Sequence, residues 1–257
     1  MSSVPVIEVE HLTKEFRVYE RAYATLKAQT MHLMRRLFER DARRAYKIKR
    51  ALDDVTFSVP RGQTVGVIGH NGSGKSTLLS ILTRIYLPTS GEVRIRGSVS
   101  SLLELGLGFD PELTGIENVF FACTLRGMER EAIVERYPLI REFSDLDEKT
   151  LALPVRMYST GMQARLAFAI AIHVDAQTLL IDEGLAVGDI RFQEKCFDRL
   201  MQVKRRGKTI FLVSHDHQFV RRFADRALWL DGGALRMDGP SDEVVDAYEA
   251  HMLSRGD

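Results

Sequence analysis

Short apolar runs alternate with longer amphipathic segments along this chain of 257 residues. Strict alternation of apolar and polar residues, typical of strands with one buried face, occurs at residues 7–9, 55–59 and 92–96. Continuous apolar runs, typical of strands buried on both faces, occur at 64–68, 178–181 and 209–213. A helical pattern at 191–206 lies between the last two runs. This order of strand, helix and strand predicts an α/β fold with a parallel sheet.

Helical periodicity elsewhere predicts a small subdomain set into this α/β core. The segment from about residue 111 to about residue 160 holds two helical patterns, at 117–125 and 130–143. A last helix is predicted at 241–251, with Ser241 as its N-cap. We therefore predict a single domain over residues 1–257 that contains one inserted helical subdomain.

Another insertion, residues 17–50, follows the first predicted strand. Its apolar residues fall on one face of a predicted helix: Leu26, Leu33, Met34, Leu37 and Phe38. Arginines crowd the remainder: Arg35, Arg36, Arg40, Arg43 and Arg44. A basic amphipathic helix fits contact with anionic lipid headgroups or with a membrane-embedded partner. A surface helix with a solvated charged face fits the same pattern equally well.

Composition adds few constraints. The formal net charge of +1 does not indicate a nucleic-acid binder. The two cysteines, Cys123 and Cys196, are far apart and form no metal-like pair, which suits a reducing compartment. There is no apolar N-terminal signal segment, and no apolar run reaches the ~18 residues of a membrane span. We expect a protein that is soluble by itself and acts on a membrane only through a partner.

The segment GHNGSGKST at 69–77 matches the phosphate-binding pattern G-x-x-x-x-G-K-[ST]. Its glycines allow the backbone to approach phosphates closely, and N–H groups at the start of the following helix face their charge. Lys75 supplies a cation for the outer phosphates, and Ser76 a hydroxyl for Mg²⁺. The predicted nucleotide-binding residues here are Gly69, His70, Asn71, Gly72, Ser73, Gly74, Lys75, Ser76 and Thr77. The alternative, a glycine turn that only caps a helix, fits poorly between a buried strand and a helix.

Polar residues also follow the other two buried runs. Asp182 and Glu183 follow the run at 178–181, where one acid can bind Mg²⁺ and the next can activate water. His215 follows the run at 209–213, which predicts a place near the γ-phosphate at the ligand-binding edge of the sheet. Ser159 precedes a helical run at 164–172 and would present N–H groups to an anion, although by itself it indicates only an N-cap.

In this order, the motifs resemble those of the nucleotide-binding subunit of ABC transporters over nearly the full chain. Residues 69–76 are similar to the Walker A loop, 179–182 to Walker B, and 159–163 to the LSGGQ signature. The resemblance implies a P-loop NTPase fold with a mixed sheet core, an inserted helical subdomain, and ATP and Mg²⁺ as cofactors. It implies three catalytic residues: Glu183, His215 and Lys75. The other nucleotide-binding residues that it implies are Phe16, which would stack on adenine, Ser159, Gly161, Gln163 and the D-loop residue Asp189.

One position departs from the family pattern. The family usually carries a glutamine between the Walker A helix and the helical subdomain, whereas this chain reads SLLELGLGF at 101–109. Glu104 is the nearest substitute and a candidate ligand of Mg²⁺, beside Ser76 and Asp182. A carboxylate can accept the hydrogen bonds of a metal-bound water, but it cannot donate one as an amide does.

The chain resembles the exporters of polysaccharides and teichoic acids in three segments. They are the departure at 101–109, GFDPELTGIEN at 108–118 and IDEGLAVGDIRFQEKC at 181–196. This resemblance implies export of a lipid-linked glycan such as O antigen, capsule or teichoic acid, together with a transmembrane permease dimer. Some members carry a C-terminal carbohydrate-binding domain, for which we expect no room before Asp257.

The resemblance also implies a head-to-tail homodimer that is peripheral to the cytoplasmic face of the inner membrane, with no nucleic-acid partner. Two alternatives stay open at this point. One is an ABC-type ATPase that acts on a DNA- or ribosome-associated partner. The other is a transporter of another lipid or of a small solute.

Overall fold

The computed structural model describes residues 4–19, 46–102, 108–182 and 188–255, and the strands in these ranges form two sheets. In chain order the strands are β1 (Ile7–Tyr19), β2 (Tyr46–Val59), β3 (Thr64–Ile68), β4 (Ser90–Ile95), β5 (Val99–Ser101), β6 (Thr178–Ile181), β7 (Thr209–Val213), β8 (Arg226–Asp231) and β9 (Ala234–Pro240). An antiparallel sheet has the order β2–β1–β4, and a larger sheet has the order β5–β6–β7–β3–β8–β9. The larger sheet is parallel except for β9, so the predicted α/β class and mixed sheet are confirmed.

The helices that the sequence pattern predicts are present, with ends that differ by a few residues, and two short helices, Glu148–Leu151 and His217–Phe223, were not predicted. They are α1 (Lys75–Leu82), α2 (Gly115–Leu125), α3 (Arg130–Ser144), α4 (Glu148–Leu151), α5 (Thr160–His173), α6 (Ile190–Arg205), α7 (His217–Phe223) and α8 (Ser241–Arg255). A reciprocal cap begins α2: Thr114 Oγ1 accepts from Glu117 N at 3.2 Å, and Glu117 Oε2 accepts from Thr114 N at 2.8 Å. The predicted helices between residues 111 and 160 are therefore present.

Two apolar layers hold these elements together. One lies between the sheets and α1, where the rings of Phe57 and Phe211 stack with centroids 5.8 Å apart. The other packs the opposite face of the parallel sheet against helices, and its aromatic centre is Phe143, Phe168 and Phe192 from α3, α5 and α6. Burial on both faces explains why β3, β6 and β7 read as continuous apolar runs.

The register of the parallel strands brings the ends of β6, β7 and β3 to one edge. Ile181 pairs with Leu212, and Val67 pairs with Val213. On the other side of β3, Ile68 pairs with Trp229 in β8. The residues that follow these strands therefore emerge side by side, which is where open α/β sheets bind ligands.

The prediction of a helical insertion over residues 17–50 is wrong at both of its ends. Arg17 lies in β1 opposite Ile48 in β2, and Val18 lies opposite Lys47. The antiparallel pairing of β1 with β2 therefore extends through these residues. Pairing between β1 and β2 determines the backbone at these ends. The apolar positions on which the helix prediction depended belong to residues 20–45, outside the described part of the chain.

Ser241 does not have the role predicted for it. It is the first residue of α8, and its hydroxyl donates to the carbonyl oxygens of Ala224 at 2.9 Å and Arg221 at 3.3 Å. The hydroxyl therefore ties α8 to the end of α7. None of the described helices has the length and apolar character needed to cross a membrane.

Candidate functional site

The phosphate-binding loop joins β3 to α1, and its conformation depends on glycine at two positions. Gly69 has φ 150°, and a Cβ there would lie 2.2 Å from Leu230 O. Gly74 has φ 107°, and a Cβ there would lie 2.6 Å from Ala51 O. Both dihedrals fall in the region that favours glycine, and both positions press against neighbouring backbone. The loop therefore needs glycine at both positions to pass close to the backbone of β8 and β2, while its contact with phosphates stays a prediction.

Lys75 begins α1 and holds its ammonium group inside the loop. The residue is only 5% exposed, and Nζ donates to Gly69 O at 2.6 Å and to His70 O at 3.1 Å. These carbonyl groups keep the buried cation hydrogen-bonded, as a buried charge requires. A polyphosphate held by the loop's N–H groups would meet this cation, which supports the predicted role of Lys75.

Asp182, Ser214 and His215 lie at the edge of the sheet beside this loop. Asp182 follows β6, and Ser214 and His215 follow β7, where Ser214 N donates to Val67 O at 3.2 Å. All three line a cavity of about 580 Å³ whose other walls come from α6 and α7. The loop itself does not line the cavity. The structure thus places Asp182 and His215 at the edge of the sheet from which the loop emerges, and their contacts with Mg²⁺ and nucleotide stay predictions.

The donor set at this edge fits a hard divalent cation. Ser76 presents an exposed hydroxyl in the first turn of α1, and Asp182 supplies a half-exposed carboxylate. Oxygen ligands of this kind suit Mg²⁺, which keeps several of its waters and binds through few protein groups. The described ranges hold no cluster of three or more histidine, cysteine or acidic side chains that could bind a metal. Glu104 and Glu183 lie outside the described residues, so their roles stay predictions.

The segment 159–163 forms the start of α5, on the side of the helical subdomain. Ser159 is the N-cap, and its Oγ accepts from Met162 N at 3.2 Å. Gln163 Nε2 donates to Val155 O at 3.3 Å and to Tyr158 O at 3.4 Å. These hydrogen bonds stay within the turn and do not reach the loop at 69–77. Exposed Ser159 and half-buried Gly161 therefore lie at a helix start separate from this chain's own phosphate loop, and their contact with nucleotide stays a prediction.

Asp189 caps α6 and joins it to α5. Its Oδ1 accepts from Phe192 N at 2.9 Å, and its Oδ2 pairs with Arg165 Nη2 at 2.5 Å. The hydrogen bond from Phe192 N is the main reason that the pKa of Asp189 lies below its usual range, and Arg165 contributes to the same direction. The predicted contact of Asp189 with nucleotide stays a prediction. Sequence reasoning missed Arg165, which is marked only by its place two residues after the predicted signature.

Phe16 lies on β1 beside an aromatic residue that the sequence analysis did not find. The Phe16 and Tyr86 rings meet edge to face with centroids 5.3 Å apart, and Lys14 Nζ lies 5.0 Å from the Phe16 ring centre. Tyr86 comes from the connection between α1 and β4, about 70 positions away in the chain. Stacking of Phe16 on adenine stays a prediction, and Tyr86 gives that ring a fixed orientation.

Comparison with known proteins agrees with this geometry. Residues 52–186 match the protein family described as ABC transporter. The chain is 41% identical over 248 residues to the O-antigen export system ATP-binding protein RfbB of Klebsiella pneumoniae, covering 96% of this chain and 99% of that protein. It is 44% identical to the RfbB protein of Myxococcus xanthus, of which it spans 56%. It is 39% identical to the teichoic acids export ATP-binding protein TagH of Bacillus anthracis, of which it spans 43%.

Solved structures share the fold. The chain aligns with the ATP-binding cassette MJ0796, described as a dimeric post-hydrolysis state bound to ADP and Pi, with a TM-score of 0.70. That alignment covers 91% of this chain and 98% of the other at 23% identity. The phosphate loop, the acidic strand end and the family match together establish that this chain belongs to the ABC transporter family as an ATP-hydrolysing, ATP-binding subunit.

Proposed function

We propose that this protein is the ATPase subunit of an exporter that moves a lipid-linked polysaccharide of the O-antigen or teichoic-acid kind across the cytoplasmic membrane. The observation that carries the proposal is the similarity to the Klebsiella export protein over 99% of that protein's length. The candidate site supplies the groups that bind and hydrolyse ATP. In this proposal a separate permease subunit forms the path of the glycan through the membrane.

Two protomers complete each ATP site in this proposal. The Walker residues and the 159–163 segment both offer N–H groups to anions, but the hydrogen bonds of Ser159 and Gln163 stay on the helical-subdomain side. A second copy, turned head to tail, can place its Ser159 and Gly161 against the γ-phosphate held by Lys75. Bound ATP then joins two anion-binding surfaces, and its hydrolysis removes the bridging group. The differential affinity of ATP and ADP for the closed dimer drives the movement.

Each residue has a separate task in that closed site. Lys75 and the loop N–H groups orient the phosphates, Ser76 and Asp182 hold Mg²⁺, and Phe16 positions the base. Bound Mg²⁺ supplies neutralisation of the negative charge between the outer phosphates. Glu183 accepts a proton from the attacking water, and His215 contacts the γ-phosphate. The Asp189–Arg165 pair connects the start of α6 to α5, the helix that begins in the 159–163 segment. The start of α6 and this segment therefore move together.

The basic end of the β1–β2 ribbon is a further candidate for attachment to the membrane complex. Arg17, Lys47 and Lys49 are exposed there, beside exposed Tyr46 and Ile48. Basic residues next to exposed apolar side chains are typical of surfaces that meet anionic headgroups. Reversing two charges with Lys47→Glu and Lys49→Glu is expected to lower export while leaving the ATPase rate of the isolated subunit unchanged. Unchanged export would favour a solvated charged surface instead.

A mixing experiment tests whether sites are shared. Ser159→Arg places a bulky cation where the partner would close, and Lys75→Ala weakens phosphate capture. If each site needs both surfaces, a dimer of one of each variant keeps at most one complete site. Full wild-type activity in the mixture would contradict shared sites.

Export itself is tested with the intact complex. The tagged chain is expected to co-purify with a membrane permease, and the ATPase rate of the reconstituted complex is expected to rise when lipid-linked glycan is added. The matched control is a complex carrying Glu183→Gln, which is expected to retain binding of ATP without stimulation. Co-purification with ribosomes or DNA, with no permease, would point to a non-transport ATPase. Stimulation by another lipid or a small solute alone would change the proposed cargo.

A further inference from the structure

A cavity of about 120 Å³ lies at the edge of the larger sheet where β6 and β7 begin, opposite the edge from which the phosphate loop emerges. Residues of α3, α5 and α6 bound it, and four cationic side chains line it: Arg136, Arg199, Arg206 and Lys208. Asp175 is the one carboxylate among its described lining residues. The cavity therefore carries an excess of positive charge.

The carboxylate of Asp175 does not balance the arginines, because it is already paired with the lysine. Lys208 Nζ lies 2.5 Å from Asp175 Oδ1 and also donates to Ala176 O at 2.6 Å. The hydrogen bond from Lys208 is the main reason that the pKa of Asp175 lies below its usual range, and the charge of Arg136 contributes to the same direction. Lys208 and Asp175 thus neutralise each other, and the three arginines remain.

Two of these arginines keep donors that the described residues do not use. A guanidinium group has five N–H donors in a planar fork. Arg136 Nη1 donates to His173 O at 2.9 Å, and Arg199 Nη1 donates to Gln202 Oε1 at 3.1 Å. Arg199 Nε is buried and has no hydrogen-bond partner among the described residues. Buried donors are nearly always paired, so this one indicates an acceptor in the cavity.

Like charges also surround Arg199. Burial is the main reason that its pKa lies below the usual value, and the charges of Arg206 and Arg136 lower it further. Arg136 belongs to α3, whereas Arg199 lies in α6 and Arg206 directly follows that helix. An anion among the three guanidinium groups would replace their mutual repulsion by attraction, and would tie α3 to α6.

Size and charge indicate the class of ligand. A water molecule in the liquid takes about 30 Å³, so this cavity has room for about four waters or for one tetrahedral oxyanion. The guanidinium fork matches the oxygens of phosphate in pairs. We propose that the cavity binds a phosphate-sized oxyanion, which accepts hydrogen bonds from Arg136, Arg199 and Arg206 and holds α3 against α6. The anion is free phosphate or the phosphate group of a larger molecule that extends into solvent past exposed Arg206.

Calorimetric titration of the full chain with inorganic phosphate measures this binding. Chloride keeps the ionic strength constant, and saturating adenylyl imidodiphosphate with Mg²⁺ occupies the nucleotide site. The wild type is expected to bind phosphate saturably, and Arg199→Gln is expected to bind it at least about tenfold more weakly, because charge-assisted hydrogen bonds are lost. Arg206→Gln is expected to weaken binding by about threefold to tenfold, since Arg206 is exposed to solvent screening.

Arg205→Gln is the matched control. Arg205 is an exposed arginine one position before Arg206, and it is not among the residues that line the cavity. Its replacement is expected to leave the affinity for phosphate unchanged. Because Arg206 is exposed, Arg206→Gln tests the site even if Arg199→Gln fails to fold.

Thermal unfolding gives a second measurement. Saturable binding to the folded protein raises its melting temperature, and this rise is expected to be smaller in Arg206→Gln than in Arg205→Gln. Glucose 1-phosphate is the second probe. An affinity equal to or above that of inorganic phosphate would assign the site to the phosphate group of a larger molecule, whereas binding of inorganic phosphate alone would assign it to the free anion.

Three results would overturn the proposal. One is the absence of saturable binding of both probes. Another is a melting temperature that rises with phosphate without saturation and equally in every variant, because the exclusion of salts from protein surfaces acts in this way. The third is binding that disappears in Lys75→Ala and persists in Arg199→Gln, because the phosphate loop would then hold the anion.

Discussion

Gly66, in the middle of β3, leads directly into the phosphate loop and lies against α7 without room for a side chain. A Cβ at this position would lie 2.4 Å from Val220 Cγ1, and 3.3 Å from both Val220 Cγ2 and the Ala224 methyl group. Val220 is fully buried and Ala224 nearly so. A single methyl group at Gly66 is therefore expected to disturb both the stability of the protein and the geometry of its nucleotide site.

The magnitude follows from the distances. Carbon atoms in contact normally lie about 3.5–4.0 Å apart, so Gly66→Ala requires a movement of more than about 1 Å. Val220 cannot easily turn away, because a β-branched side chain in a helix has one strongly preferred rotamer. Overpacking of this kind lowers the free energy of unfolding by about 1–3 kcal/mol. Val220→Ala alone is expected to lower it by about 2 kcal/mol, through lost burial and the resulting cavity.

The double variant distinguishes this cause from others. In Gly66→Ala/Val220→Ala the new methyl group occupies space left by the valine, so the two effects are expected to fall short of their sum by at least about 1 kcal/mol. Urea unfolding followed by the fluorescence of Trp229, the single tryptophan, on the neighbouring strand, measures each value. ATP binding is expected to weaken in Gly66→Ala and to recover in part in the double variant.

Gly239→Ala is the matched control in the same sheet. A Cβ on Gly239 would lie 3.7 Å from Val244 Cγ2, which is ordinary contact, so stability is expected to stay within about 0.5 kcal/mol of wild type. Strict additivity of Gly66→Ala and Val220→Ala would refute the steric reasoning. Equal losses in Gly66→Ala and Gly239→Ala would point instead to a general intolerance of β-carbons in these strands.

Other residues of the site have measurable consequences. Lys75→Ala is expected to weaken ATP binding by about tenfold or more, measured by calorimetry, because a charge-assisted contact to phosphate is lost. Asp189→Asn is expected to keep the cap of α6 and lose the Arg165 pair, so its melting temperature should exceed that of Asp189→Ala; equal melting temperatures would contradict the capping role. Burial lowers the pKa of His173 below its usual 6.5, so the unfolded chain binds more protons as pH falls through that value. The free energy of unfolding is therefore expected to decrease from about pH 7 to about pH 5. In urea titrations, His173→Gln should flatten that part of the plot of unfolding free energy against pH. An equal decrease in His173→Gln would show that other groups cause it.

Several features could be predicted from the sequence because they depend on neighbours in the chain. The loop at 69–77 was identified because glycine, lysine and serine at that spacing follow a buried strand and begin a helix. The strands β3, β6 and β7 were predicted at their observed bounds, because burial on both faces leaves an uninterrupted apolar run. The helices α2 and α3 were predicted within two residues of their observed ends.

The local sequence pattern gave wrong predictions where pairing between distant segments determines the backbone conformation. Residues 46–50 lie in a basic segment that favoured a helix, yet they form the start of β2 because β1 is available to pair with them. Ser241 has the usual N-cap chemistry, but its hydroxyl reaches Ala224, which lies 17 residues earlier. Residue propensities favour some secondary structures of a segment over others, and tertiary contacts determine which one it adopts.

The sequence by itself determined the chemistry of the protein: a phosphate loop, an acidic strand end and the α/β core that presents them. Only the tertiary structure decided how that chemistry is held in place. The contact of His70 with Asp231, the place of Tyr86 beside Phe16 and the closeness of Gly66 to Val220 all join residues far apart in the chain. The physical reason is that motifs depend on local spacing, whereas contacts between distant residues depend on strand order and helix packing.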